Sequence, residues 1–295
     1  MQSADFLSAV FFYLKVGENL NQNWIVENLN NAFSTWNGKL GELWGLVTTG
    51  PQTFKGGAVW SVMQTLHNGM VGIGYALVVL FFAISLCKNT MNFHELKRPE
   101  ASIHYFLRFV AAKALVGYGM DIMLNVFSIC NGIVTDMADS MGGISEAMVS
   151  LPTEMQTAIE NVGFLASIPL WLVTILGSLF ITVLSFVMIL TVYGRFFRLY
   201  MYTALAPLPL AAFAGESTQS VGISFLKSYV GVRLEGAVIV LACVIYSAFV
   251  STPTVVSGEA TTIVWSYLAE TVFNMLVLVG LIKGSDRIIH EMMGL

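Results

Sequence analysis

The chain has 295 residues, of which 56% are hydrophobic and 11% charged. Soluble domains carry about a quarter charged residues, so this surface cannot be covered by water-facing side chains and most of it must face lipid. The net charge of -4 and the lack of any Lys/Arg block exclude a basic stripe for sequence-specific DNA binding.

The first apolar stretch, Phe6 to Val16, has Asp5 before it and Lys15 near its end. That order inverts the charge pattern of a secretory signal, so the stretch reads as retained. Residues 1–60 read as an N-terminal region of amphipathic helices on the outer face. From Ile25 the apolar positions run Leu29, Phe33, Trp36, Leu40, Leu43 and Val47, in steps of three and four that make one helical face. Trp24 and Trp44 border it, as at a membrane boundary. Two readings are open for this face: it lies on the outer leaflet or a partner, or it folds back on its own bundle.

Residues 61–295 read as one membrane domain. About 20 apolar residues cross the roughly 30 Å hydrocarbon core, and five runs qualify: about 69–87, 105–130, 165–192, 234–251 and 262–282. Basic flanks stay cytoplasmic. Lys88, Lys97 and Arg98 follow the first span, Arg195 and Arg198 the third, and Lys283 and Arg287 the fifth, while Lys227 and Arg233 precede the fourth. The link 131–163 has no Lys or Arg but holds Asp136, Asp139, Glu146, Glu154 and Glu160, and the link 252–261 holds Glu259. The pattern closes on one multi-pass topology, with the N-terminus outside, five spans and the C-terminus in the cytoplasm; the resemblance given below implies that the membrane is a bacterial cytoplasmic membrane.

Residues 199–214 are apolar but about 24 Å long even as a full helix, and Pro207 and Pro209 each remove a backbone donor. With basic flanks on both sides, 199–229 reads as a re-entrant or interfacial segment, whose broken backbone survives only where protein or water satisfies it. A proline-kinked sixth span is the other reading. The fold class expected is therefore all-α: a polytopic helical bundle with five transmembrane helices, a proline-broken segment and N-terminal amphipathic helices.

No enzyme signature emerges. His94-Glu95 and His290-Glu291 lack the second His of HExxH, and neither GxSxG nor GxxxxGK[ST] occurs. Cys87, Cys130 and Cys243 show no CxxC spacing and read as small buried hydrophobes. No cofactor or metal is expected. Charged residues inside spans are costly and usually tied to a role. Arg108 and Lys113 lie near the inner end of the second span and can snorkel, whereas Asp121 and Glu270 sit about 12 to 14 Å from the outer ends of theirs. Asp121, Glu270 and Lys113 are candidates for a polar membrane pocket; the alternative is neutral carboxyls hydrogen-bonded to neighbouring helices. Gly72 with Ala76 and Gly280 with Gly284 are small-residue pairs suited to close helix contacts.

The stretch RFFRLYMYTALAPLPLAAFAGESTQSVGISFLKSYVGVRLEGAVIVLACVIYSAFV, 195–250, resembles the TrbL-type polytopic subunit of conjugative type IV secretion systems, in the short form of Gram-positive mobile elements. The resemblance implies an oligomeric inner-membrane part of a DNA-transfer machine, without cofactor, that contacts a transfer ATPase and helps single-stranded DNA and protein pass outward. The matched positions are Arg195, Arg198, Pro207, Pro209, Gly215, Glu216, Lys227, Arg233, Glu235 and Gly236. They imply a cytoplasmic collar formed by the proline hairpin and an amphipathic 217–229 helix. Lys227 and Arg233 there face either an ATPase or phosphate groups, or simply anchor to anionic lipid. A secondary transporter, which uses broken helices and mid-membrane carboxyls, and a purely structural membrane subunit are the rival functions. Against the transporter, the sequence shows no inverted repeat and no second broken segment.

Overall fold

The computed structural model describes residues 2–90, 99–140, 148–250 and 260–295. His94, Glu95, Lys97, Arg98, Glu146 and Glu259, used above, lie outside the described residues. In chain order come α1 (Gln2–Thr48), a 3-10 turn (Phe54–Gly57), α2 (Ala58–Thr90), α3 (Pro99–Gly117), α4 (Gly119–Ser140), α5 (Thr153–Glu160), α6 (Phe164–Leu205), α7 (Pro207–Ala211), a second 3-10 turn (Ala212–Ala214), α8 (Gln219–Val250) and α9 (Ala260–Met293). Stretches within α2, α6, α8 and α9 are long and apolar enough to cross a membrane, and α3 with α4 passes the same test as a pair bent by 71°. The protein is an all-α, multi-pass membrane protein.

Two elements differ from expectation. The 105–130 span is not straight: it breaks at Tyr118, between Gly117 and Gly119, where glycines leave the helix free to kink. Pairing continues through the break, with Tyr118 N donating to Ala114 O at 2.8 Å and Ile122 N to Tyr118 O at 3.0 Å. The proline segment is shorter than 199–214, because α6 runs on to Leu205 and only Pro207–Ala214 is broken out of it. Residues 219–229 are the opening turns of α8, not a separate amphipathic helix.

The chain forms two compact units. The first comprises Met1–Gly45, Met141–Thr191 and Leu241–Lys283. Here the α1 face Ile25, Leu29, Phe33, Trp36, Leu40 and Leu43 is fully buried, and each such side chain contributes about 1.5–3 kcal/mol. It is buried by its own chain. Trp24 packs on Trp171 with ring centroids 5.5 Å apart, Ser178 Oγ lies 3.5 Å from Asn28 O, and Lys39 Nζ sits 5.8 Å from the centre of the Phe186 ring. The partners climb together along both helices, so α1 runs parallel to α6 over about 22 Å of rise. Of the two readings open for this face, folding back on its own bundle is the one these contacts match. Asn37 pins the segment before α5 with two bonds, Nδ2 to Val149 O at 2.7 Å and Val149 N to Oδ1 at 2.9 Å.

The second unit comprises Leu46–Ser140, Val192–Val240 and Gly284–Leu295. Its centre is the proline segment, whose Ala206, Leu210, Ala211 and Ala214 are buried among Val78, Ala112, Val116, Met123 and Tyr229. Close approach is possible because Gly74 has no side chain: a Cβ there would lie 2.9 Å from Val116 Cγ1 and 3.0 Å from both Pro207 Cβ and Pro207 O. Gly72, Gly280 and Gly284, the glycines expected to mediate contacts, would meet nothing within 4 Å.

Pro207 also lacks the N–H that would bond Thr203 C=O across one helical turn. His67 of α2 supplies the missing donor, its Nδ1 lying 2.7 Å from Thr203 O, which fixes the proton on Nδ1. Lys88 Nζ and Arg108 Nη2 reach Ser217 Oγ (3.4 Å) and Gln219 Oε1 (3.2 Å), holding the link into α8.

One pairing conflicts with the charge-derived layout. Phe54 stacks on Phe196 with centroids 4.2 Å apart, and Tyr200 OH donates to Pro51 O at 2.8 Å. Residues 51–54 were expected on the outer face and 195–200 on the cytoplasmic face, and the two placements exclude each other. Around residue 60, the N-terminal helix ends at Thr48 and α2 begins at Ala58.

Candidate functional site: a buried charge network

The matched residues of α6 and α8 meet inside the second unit. Arg198 of α6 clamps Glu235 of α8, with Nη2 at 2.9 and 2.8 Å from the two carboxylate oxygens, while its Nη1 donates to Asp286 of α9. Ser285 Oγ donates to Glu235 Oε1 at 3.2 Å. Glu235 is 1% exposed while Arg198 and Asp286 remain partly open to solvent, so the network ties three helices together at the edge of the interior. A buried carboxylate persists as an ion only with such partners.

Two further guanidinium groups lie close by without a carboxylate of their own. Arg195 is 4% exposed; its Nη2 has Val47 O at 3.4 Å. Arg233, equally buried, donates through Nη2 to Tyr229 OH at 2.8 Å, and Tyr229 OH passes its own proton to Met123 O at 2.8 Å. The Arg233 Cζ stands 4.1 Å from the centre of the Phe127 ring, a cation–π contact that offsets part of the burial. Gly236 makes room for Arg195: a Cβ would fall 2.2 Å from Nη1. The RLEGA motif is thus a packing device in which Arg233, Glu235 and Gly236 each have a defined partner.

The expected cytoplasmic collar does not form in these terms. Arg195, Arg233 and Glu235 are interior, so none of them faces an ATPase or anchors to lipid. Pro207 and Gly215 are buried and Pro209 is half-buried. Pro209 lines an apolar groove of about 400 Å³ with Arg198, Met201, Tyr202, Leu205, Leu208 and Phe225. Glu216 and Lys227 are exposed, and Lys227 Nζ has Met293 O at 3.4 Å.

The candidates for a polar pocket belong to both units. Glu270 lines a cavity of about 320 Å³ in the first unit, with Glu154, Tyr246, Tyr267, Thr271 and Asn274 among its walls. Asp121 and Lys113 belong to the second unit and are exposed there. The grouping of all three forms in neither unit.

Sequence reasoning missed His67, Tyr229, Ser285 and Asp286. For His67 a signal existed, since a proline inside an apolar run leaves a carbonyl that needs a donor from elsewhere. Nothing in the spacing marked Ser285 or Asp286.

The family described as "TrbL/VirB6 plasmid conjugal transfer like protein" matches residues 36–207, more than half of the chain. The stretch 195–250 shares only its first residues with that match. No curated protein and no solved structure gives a match.

Proposed function

Because the chain belongs to the TrbL/VirB6-like plasmid conjugal transfer family, we propose that it is a channel or scaffold subunit of a type IV secretion machine, helping single-stranded DNA and protein across the cytoplasmic membrane. It works as a homo-oligomer with the other secretion subunits, including a transfer ATPase that supplies the energy. The observation that carries the channel reading is the outward face of α1. Over the stretch parallel to α6, that face presents Glu27, Asn30, Asn31, Ser34, Gly38 and Gly41. The adjacent α6 presents Leu172, Leu176, Leu179, Phe180 and Val183. Leucines and phenylalanines suit lipid. Carboxylate and amide groups at the same depth do not, and neighbouring copies that enclose water between their α1 helices would accommodate them.

Its N-terminus lies outside and its C-terminus in the cytoplasm, a placement supported by the basic Lys283 and Arg287 near the C-terminus and by the acidic Glu154 and Glu160 ahead of the α6 span. The test is mating frequency after in-frame deletion of the gene, with wild-type, Asn30→Leu or Ser34→Leu copies supplied in trans. Wild type restores transfer, and the leucine variants insert at normal levels but restore it poorly. Undiminished transfer in the deletion strain refutes the conjugation reading. Full restoration by both leucine variants refutes the channel role and leaves a scaffold.

A secondary transporter is the second reading, favoured by the break at Tyr118. The second unit holds two broken helices, and they touch: a Cβ on Gly119 would lie 3.1 Å from Leu210 Cδ1. Paired breaks are the usual transporter device. Ion-gradient-driven uptake by the protein alone in vesicles, with mating unaffected by its loss, would select this reading.

A further inference from the structure

We propose that Arg195 and Arg233 hold a single monovalent anion of halide size in an internal cavity of the second unit. The cavity measures about 10 Å³ and is lined by Val47, Phe127, Cys130, Asn131, Val134, Arg195, Leu199 and Arg233. A single small species is the most that such a space can hold.

Its polar wall is dominated by donors. Arg195 Nε, Arg233 Nε and Arg233 Nη1 are buried and have no hydrogen-bond acceptor among the described residues. Both side chains are 4% exposed. Their remaining bonds go to neutral oxygens, Val47 O and Tyr229 OH, while the buried carboxylate nearby, Glu235, is clamped by Arg198. Two guanidinium charges are therefore buried without a hydrogen-bonded counter-charge, an arrangement that is costly unless an anion joins them.

A water molecule would accept two of these protons but must donate two of its own, for which the lining side chains offer the Asn131 amide oxygen and the weak Cys130 sulfur. A halide accepts from every side and donates nothing. The Asn131 amide and the Cys130 thiol can each turn a donor to the ion, and Val47, Phe127, Val134 and Leu199 close the site with apolar surface. Gly236 is part of the design, since any side chain there would displace the Arg195 guanidinium. The anion stitches together α4, α6 and α8, which supply Cys130, Arg195 and Arg233. It makes no use of the transfer function, so it stands or falls separately from the conjugation reading.

The experiment follows thermal unfolding of the full-length protein in detergent at constant ionic strength, with sodium bromide or chloride exchanged for sodium gluconate, an anion too large for the cavity. Halide raises the midpoint by about 5 °C at a hundredfold excess over its dissociation constant. Arg233→Met and Gly236→Ala abolish the response. Equal midpoints in halide and gluconate overturn the proposal, as does a halide response that persists in both variants. Should either variant fail to fold, crystals of the wild-type protein grown in bromide decide the matter. An anomalous peak between Arg195 and Arg233 supports the site, and its absence there overturns it.

Discussion

Replacing His67 by leucine keeps most of the buried volume but removes the donor to Thr203 O, which then has neither a helical partner, because residue 207 is proline, nor access to water. His67 is 1% exposed and its bond is 2.7 Å long, so solvent cannot take its place. Orphaning a buried carbonyl costs about 1–3 kcal/mol. For a chain of this size 2 kcal/mol lowers the unfolding midpoint by about 5 °C. His67→Asn carries an amide N–H near the position of Nδ1 and should recover part of that loss despite its smaller volume. His67→Ala combines the orphaned carbonyl with a cavity and should be worst, at about 3–5 kcal/mol. The assay is thermal or denaturant unfolding of the purified protein in detergent, compared across the three variants at matched expression. A leucine variant as stable as wild type, or an asparagine variant no better than alanine, refutes the idea that His67 completes the hydrogen bonding of the broken helix.

Arg198→Met should cost about 3–5 kcal/mol by leaving Glu235 buried and unpaired, Glu235→Met less because Arg198 keeps Asp286, and the double replacement Arg198→Met/Glu235→Met should recover much of the loss; a double-mutant cycle over these variants in unfolding measurements reads the coupling directly. Gly74→Ala should destabilise by about 1–3 kcal/mol because its Cβ enters space held by Val116 and Pro207, whereas Gly72→Ala should be neutral in the same assay. Asn37→Ala should speed proteolysis near Val149, since two hydrogen bonds hold that backbone, and unchanged cleavage would count against the pin. In native membranes a small permeant thiol reagent should modify the exposed Cys87 well before the buried Cys130 and Cys243, and comparable rates at all three would contradict the packing of α4 and α8.

The fold class was legible because composition and run length leave few alternatives, and the buried face of α1 was legible residue by residue from Ile25 to Val47. What that face packs against was not, since periodicity reports that a stripe is buried and says nothing about its partner. Charge counting was blind to burial for a related reason. Arg195 and Arg233 read as cytoplasmic flanks because a lone cation beside an apolar run resembles a membrane anchor, and only three-dimensional packing brings Tyr229, Phe127 and Gly236 around them. The bend at Tyr118 was hidden inside an unbroken apolar run, where two flanking glycines are too common to signal a kink. The proline break was visible, but its extent was overstated because helix α6 persists to the last residue before Ala206.

The hydrogen bond from His67 to Thr203 joins positions 136 residues apart, and ribosomes deliver the two ends at different times. At 5–20 residues per second, α2 waits about 7 to 27 s for the carbonyl that its imidazole will serve. During that interval the histidine sits in an apolar helix with its proton uncommitted, held by water, lipid headgroups or the insertion machinery. Assembly of the second unit is therefore ordered by synthesis: α2 and α3 can meet early, as the Phe82–Phe109 contact shows, but the surface they share for the proline segment stays uncovered until that segment arrives. A chain stalled or truncated before residue 203 leaves that cradle open, and early misassembly of the protein should begin there.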